Sequence, residues 1–289
     1  MSERINRYLA SCGLGSRRQA DQWIEAGRVK VNGELATPGL QIEETDLVML
    51  DDKLVSVQED HTYILYNKPP SLLCSRKDAK KRPLIYDNMD VPKNVQSIGR
   101  LDMDSEGLLL LSSDGILTQA LIHPKHRIIR TYKVKITGQL SLESMQALRE
   151  GGIDMGENDK GEKEKSVPWD LIVEAQKAGH CWVKIHIKRG RWREIRRTMA
   201  ALGHQVRRLI RIKFGPIKLD ETMPRGAWRD LKASEVRQLQ KAVGIATGKK
   251  VSQEEEVEVI HRPSTSSRER KPKEQTRKPK TQTRKPKCA

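Results

Sequence analysis

The hydrophobic positions of this chain switch repeatedly between helical and strand spacing. Ile5, Tyr8 and Leu9 share one helical face that ends near Gly13. Ser16 is placed to cap a second helix, in which Ala20, Trp23 and Ile24 keep the spacing and Gly27 lies just past the end. Arg28 to Gly33 alternates like a short strand and closes in an Asn-Gly hairpin pair; Leu47 to Leu50 is another strand. Tyr63 to Tyr66 predicts a buried strand stopped by Asn67-Lys68-Pro69-Pro70. Four consecutive leucines, Leu108 to Leu111, predict another, ended by Ser113-Asp114-Gly115. Tyr132, Val134 and Ile136 alternate with lysines, and Val183, Ile185 and Ile187 alternate with Lys184, His186 and Lys188, as in half-buried strands. Ser141 caps a helix carrying Leu142, Met145 and Leu148, with Gly151 at its end, and Gly156 to Lys165 is read as a charged loop. Ile195, Met199 and Leu202 form a helical stripe closed by Gly203, Val206 to Phe214 returns to strand, and Ser234 caps a last helix through Val236, Leu239 and Val243.

Strands and helices are thus interspersed, and several strands have one polar face. The expected class is α+β with a mixed, largely antiparallel sheet. The pattern divides into a small N-terminal module (1–59), a larger segment with its own core (60–245) and a polar tail (246–289). Arg277-Lys278-Pro279-Lys280 recurs as Arg284-Lys285-Pro286-Lys287, and the tail has too little apolar mass to fold, so disorder is expected there.

Composition sharpens this. Of 289 residues, 36% are hydrophobic and 32% charged, no apolar run is long enough to span a bilayer, and the start MSERINRYLA lacks a signal-peptide core. Cys12, Cys74, Cys181 and Cys288 are far apart, with no C-x-x-C pair, so neither a zinc site nor a disulfide scaffold is expected, and a reducing cytoplasm fits. The net charge is +17; His261 to Ala289 carries 11 Lys/Arg against 2 Asp/Glu, so the rest of the chain is basic too. A polyanion is the natural partner, because lysine and arginine displace condensed counterions from phosphates.

The run Ser97 to Gly115, SIGRLDMDSEGLLLLSSDG, combines a turn bearing Arg100 and Asp102 with an apolar wall that can fix and shield a carboxylate. On spacing alone the same residues also describe a surface loop leading into a buried strand. In the N-terminal module, Arg17 and Arg18 lie at a helix N-terminus, where charge and dipole both attract phosphate; Arg4, Arg7, Arg28 and Lys30 extend the basic set. A solvated basic face is the alternative.

The stretch Ser16-Arg17-Arg18, Ala20-Asp21, Ile24, Gly27-Arg28-Val29 and Val31-Asn32-Gly33 closely resembles the S4 RNA-binding domain. The central segment resembles the bacterial rRNA pseudouridine synthases of the small-subunit type. The matching residues are Asn67-Lys68-Pro69, Gly99-Arg100-Leu101-Asp102, Asp104 to Leu109, Thr131 to Val134, Gly190 with Arg193 to Arg197, and Val206, Leu209, Arg211 and Gly215. Only the tail lies outside the two resemblances. They imply recognition of structured RNA by shape and backbone, and isomerisation of one uridine without cofactor or metal.

By that resemblance Asp102 is the essential carboxylate, acting on a nucleotide everted from its stack. Tyr132 lies against the base, Arg196 pairs with Asp102, Leu209 gives apolar contact and Arg100 binds a backbone phosphate. Of Arg191, Arg193, Arg196 and Arg197, one is expected to face the pocket, and the family slot assigns Arg196. For Tyr132 an ordinary core position, and for Arg196 a phosphate contact or surface charge, are the competing readings. Thr198 and Glu194 depart from the family pattern beside the site. Trp192 fits either an RNA stack or a rim position, and the His123/His126 pair is assigned to phosphate contact or solvent rather than catalysis. The expected protein is a cytoplasmic monomer without membrane or metal, modifying 23S rather than 16S rRNA. A non-catalytic rRNA-binding assembly or recycling factor is the alternative.

Overall fold

The computed structural model describes residues 2–56, 61–245 and 260–261. The boundary expected between residues 59 and 60 lies outside these residues, as do the repeats and Cys288 of the tail.

Residues Ile5–Ser11 and Arg17–Glu25 are helices. The second begins as its sequence requires: the Ser16 hydroxyl accepts the Gln19 amide at 3.3 Å, and the Gln19 side chain accepts the Ser16 amide at 2.9 Å. Strands Glu34–Leu35, Val29–Val31, Val48–Leu50 and Lys53–Leu54 form a four-stranded sheet in that order. Asn32, at φ 52°, and Gly33, at φ 90°, make its first turn. Ile5, Leu9, Ala20, Ile24, Val29 and Val48 close a core drawn entirely from this module.

The main sheet runs in the order Asp170–Lys177, His180–Ile187, Arg130–Thr137, Val206–Phe214, Glu106–Ser112, Tyr63–Lys68, Trp228–Asp230. Among the strands described, only Glu106–Ser112 and Val206–Phe214 pair in parallel, with Ile210 opposite Glu106 and Arg211 opposite Gly107. The α+β class and the largely antiparallel sheet follow the hydrophobic pattern.

The four leucines owe their lack of polar alternation to burial on both faces. Leu109 and Leu111 join Tyr66, Val134, Val183 and Leu209 under helices Leu142–Glu150 and Glu194–Ala201. Leu108 and Leu110 join Leu65 and Phe214 under helices Gly115–Ile122 and Ala233–Ala242.

Several expectations are corrected. The first buried strand continues through Asn67 and Lys68 and stops only at Pro69. Ser113-Asp114-Gly115 is a start signal as well as a stop: Asp114 caps helix Gly115–Ile122 by accepting the Leu117 amide at 2.8 Å. The charged loop at 156–165 is a hairpin of strands Asp154–Glu157 and Lys163–Lys165. The last helix starts at Ala233 after Lys232, not at a Ser234 cap, because Glu235 accepts the Lys232 amide at 2.9 Å.

Candidate active site

The Asp102 loop leaves and rejoins one strand. Gln96–Ser97 pairs with Glu106–Ser112, the Ile98 amide donates to the Leu110 carbonyl at 2.7 Å, and Gly99 turns the chain at φ 72°. Beneath the loop stands Lys68, opposite Gly107 and 0% exposed. Its ammonium donates to the carbonyls of Ser105 at 2.8 Å, Pro69 at 3.1 Å, Met103 at 3.2 Å and Asp102 at 3.3 Å. The Ser71 amide donates to the Met103 carbonyl, the Ser105 amide to the Asp102 carbonyl, and Arg196 Nη2 to the Asp104 carbonyl at 3.2 Å. Every carbonyl from Asp102 to Ser105 is therefore held, which fixes the loop before any ligand arrives. Burial pulls the Lys68 pKa below its usual value; Cys74, Asp102, Asp104 and Glu106 push the other way.

Gly107 completes the arrangement. Its φ is 96°, and a Cβ there would lie 2.4 Å from the Arg211 carbonyl oxygen. Glycine is what lets the loop's strand approach Val206–Phe214 this closely.

Two adjoining hollows share walls of Arg100, Asp102, Tyr132, Gly190, Arg191 and Arg193, with volumes of about 980 Å³ and 90 Å³. Tyr132 is 7% exposed, and Leu209 and Ile195 line the smaller hollow. Around the larger one stand seven cations, Arg100, Arg130, Lys188, Arg189, Arg191, Arg193 and Arg211, against two carboxylates, Asp102 and Asp159. The Asp102 carboxylate has no ion pair among the described residues, so it is open to a ligand in the hollow. Another hollow of about 700 Å³, lined by Trp182, Arg208 and Glu106, contains none of the expected catalytic residues.

Asp102, Tyr132, Leu209 and Arg100 thus come together. Arg196 does not join them in the expected way. Its guanidinium donates to the carbonyls of Val206, at 3.2 Å, and Asp104 rather than to the Asp102 carboxylate. Burial lowers its pKa, with Asp104 and Asp102 opposing. Of the four clustered arginines, Arg191 and Arg193 wall the hollows, while Arg197 is tied to Met155, Gly156 and Glu164. Arg193, in the left-handed region at φ 46°, turns the chain immediately before the helix, so the loop arginines reach the cavity and the helical ones do not.

Thr198 and Glu194 both serve packing: the Thr198 hydroxyl lies 3.0 Å from Met155 Sδ, and Glu194 accepts the Arg191 amide at 3.1 Å, its pKa raised by burial. Trp192 is 43% exposed on the larger hollow's wall. His123 accepts the Lys125 amide, and neither His123 nor His126 lines the two hollows.

In the N-terminal module Arg4, Arg17 and Arg18 are exposed. Arg28 is ion-paired with Asp51 and Lys30 with Asp52, so these two are less free for phosphate than the sequence suggests.

Sequence reasoning gave no role to Lys68, Arg130 or Arg211. The signals were present: Arg130 is two residues from Tyr132 and Arg211 two from Leu209, hence on the same strand faces. Lys68 is a charge at the end of a strand whose first four residues, Tyr63 to Tyr66, are apolar or aromatic.

Residues 62–201 match the model of the RNA pseudouridylate synthase family, and residues 3–48 match the S4 domain. The ribosomal large subunit pseudouridine synthase B of Salmonella typhimurium is 34% identical over 266 residues, covering 89% of each chain. This chain belongs to the RNA pseudouridine synthase family. A relative from Aquifex aeolicus described as an uncharacterized RNA pseudouridine synthase is 34% identical over 85% of this synthase and 96% of its own length. A crystal structure of a pseudouridylate synthase superposes with a TM-score of 0.59 at 34% identity, covering 82% of this synthase and 99% of that chain. Among the described residues no helix is long and apolar enough to cross a membrane, and no group of three or more His, Cys, Asp or Glu is arranged to hold a metal.

Proposed function

We propose that this synthase isomerises one uridine of 23S rRNA, with Asp102 as the essential carboxylate and without a cofactor. One observation carries the reading: a carboxylate without an ion pair among the described residues, on a fully anchored loop beside Tyr132, in a hollow walled by seven of the described cations. The cations suit an RNA backbone and the hollow suits a nucleotide taken out of its stack. The relatives named for the large ribosomal subunit support 23S rRNA as the target.

In the reaction the N1–C1′ bond breaks, the base turns, C5 bonds to C1′, and the proton lost from C5 is replaced by one gained at N1. Asp102 attacks the sugar or base, or stabilises charge at the sugar. Tyr132 stacks against the base and its hydroxyl assists removal of the C5 proton. Leu209 gives apolar contact, and Arg100 binds a backbone phosphate. Arg196 acts through the Asp104 carbonyl, as a positioning residue. The N-terminal module, with Arg4, Arg17 and Arg18, and the basic tail supply affinity. Residues 1–59, 60–245 and 246–289 are the corresponding units, and the cytoplasm, where ribosomal RNA is modified, is the site of action.

The test is a map of rRNA pseudouridines with and without the gene, followed by Asp102→Asn. One 23S uridine is expected to lose its modification in the deletion strain. The purified variant is expected to bind RNA while releasing no tritium from C5-labelled uridine. Full turnover by the variant would remove Asp102 from its role, and a deletion strain with unchanged pseudouridines would favour the non-catalytic assembly reading.

A further inference from the structure

We propose that Arg130 and Arg211 form a seat for a single phosphodiester of the bound RNA, a proposal that rests on the RNA-isomerase reading above. The two arginines lie on neighbouring strands, with Tyr132 opposite Arg211 and Arg130 opposite Phe214. Their guanidinium carbons stand 5.2 and 5.3 Å from the centre of the Phe214 ring. Both residues wall the hollow that contains Asp102.

Neither arginine has a carboxylate partner among the described residues. Arg211 is 2% exposed and donates from Nε to the Leu108 carbonyl at 2.7 Å, while its Nη2, also buried, has no partner. Arg130 donates from Nη1 to the carbonyls of Ile128 and Lys188, both at 3.3 Å. A guanidinium has five N–H donors, so most of this hydrogen-bonding capacity is unused. Two poorly solvated cations against one ring, without an anion, are costly. Burial lowers the Arg130 pKa; Tyr132 opposes that and the Arg211 charge adds to it. An anion in the hollow relieves the repulsion and takes up the free donors. In an RNA-binding site that anion is a phosphate, for which two planar guanidiniums are well shaped. Seated there, the phosphate fixes the distance between the target sugar and Asp102.

The experiment is a charge scan of the ligand combined with variants of the protein. A synthetic RNA hairpin carrying the isomerised uridine is made with one neutral methylphosphonate at a time around that nucleotide. Binding is measured with the full-length Asp102→Asn protein, so that no turnover intervenes. Neutralising one linkage is expected to weaken binding about tenfold or more, as for loss of a charge-assisted hydrogen bond. With Arg130→Gln added, the same replacement is expected to cost less than about twofold, because the seat is already broken. Arg211→Lys keeps a charge but loses the fork, and is expected to reduce the effect at the same linkage; it also carries the cycle if Arg130→Gln fails to fold. Equal losses at every linkage, with and without these substitutions, would overturn the seat. Isomerisation by the otherwise unaltered enzyme is followed separately. Turnover through Asp102 with no coupling removes only the seat, whereas coupling with turnover that survives Asp102→Asn removes only the assigned role of Asp102.

Discussion

Replacing Lys68 by methionine tests whether the Asp102 loop is held for catalysis or merely for folding. The substitution keeps the length of the side chain and deletes the ammonium. Of its four carbonyl acceptors, those of Asp102 and Met103 keep amide partners in Ser105 and Ser71, whereas those of Pro69 and Ser105 lose their hydrogen bond from Lys68. Losing this donor costs about 1–3 kcal/mol at the buried Ser105 carbonyl and less at the part-buried Pro69 carbonyl, about 1–4 kcal/mol together. Against this, Lys68 is a cation at 0% exposure, and exchanging a buried ion for an apolar side chain can return about 1–4 kcal/mol. The net change in stability is therefore small, within about 2–3 kcal/mol. Activity has no such compensation, because the loop loses the group that ties Pro69 to residues 102–105. Single-turnover isomerisation is expected to fall by roughly 100-fold or more, as misplacement of a catalytic group by about 1 Å does, while RNA binding and melting temperature change little. Tritium release, thermal melting and a binding titration on the same preparation separate these effects. A Lys68→Met enzyme with normal single-turnover rate, or one whose loss of rate only mirrors loss of folded protein, would refute the argument.

Gly107→Ala places a Cβ 2.4 Å from the Arg211 carbonyl at a φ of 96°, so strain and overpacking together are expected to cost about 2–6 kcal/mol and lower the melting temperature by on the order of 10 °C; unchanged melting would mean the strands part without penalty. For Glu235, burial alone would raise the pKa, yet the Arg229 guanidinium and the Lys232 amide hold it below the usual carboxylate value. The stability this gives is full at neutral pH and declines as pH falls below about 4.3, where the unfolded chain takes up the proton first. Glu235→Gln is expected to lose about 1–2 kcal/mol at pH 7, discounted for partial exposure, and to flatten the acid limb of the stability curve, as urea melts at several pH values would report. Removing residues from 261 onward, with 11 Lys/Arg, is expected to flatten the slope of log affinity against log salt without changing which uridine is modified; a changed site would mean that the tail reads sequence.

Much of the architecture was legible because burial leaves a periodic record. Alternation at Tyr132–Ile136 and Val183–Ile187 marked strands with one wet face. Ser16, placed as an N-cap, marked the start of a helix. Elements were missed where a residue type has two local meanings. Asp114 ends one element and caps the next, and the polar alternation at 156–165 suits a loop as well as an exposed hairpin. In the site, the pairing of Arg196 with Asp102 was misjudged because a helix crowded with arginines fixes which faces they occupy, but not which other element packs there.

Resemblance to a family picked out the residues to which chemistry is assigned; the chain's own pattern placed them: an acid in a glycine-flanked turn, a tyrosine and a leucine on strand faces, and an excess of positive charge. These are properties of residue type and local spacing, set by backbone sterics and by the cost of burying polar groups. Only the tertiary structure decided which cations share the hollow with Asp102. That depends on one parallel strand pairing, closed over Gly107, which brings Arg211 and the Lys68-anchored loop against the same hollow from positions more than a hundred residues apart in the chain. Contacts of such separation follow from packing whole faces together, and no local pattern specifies them.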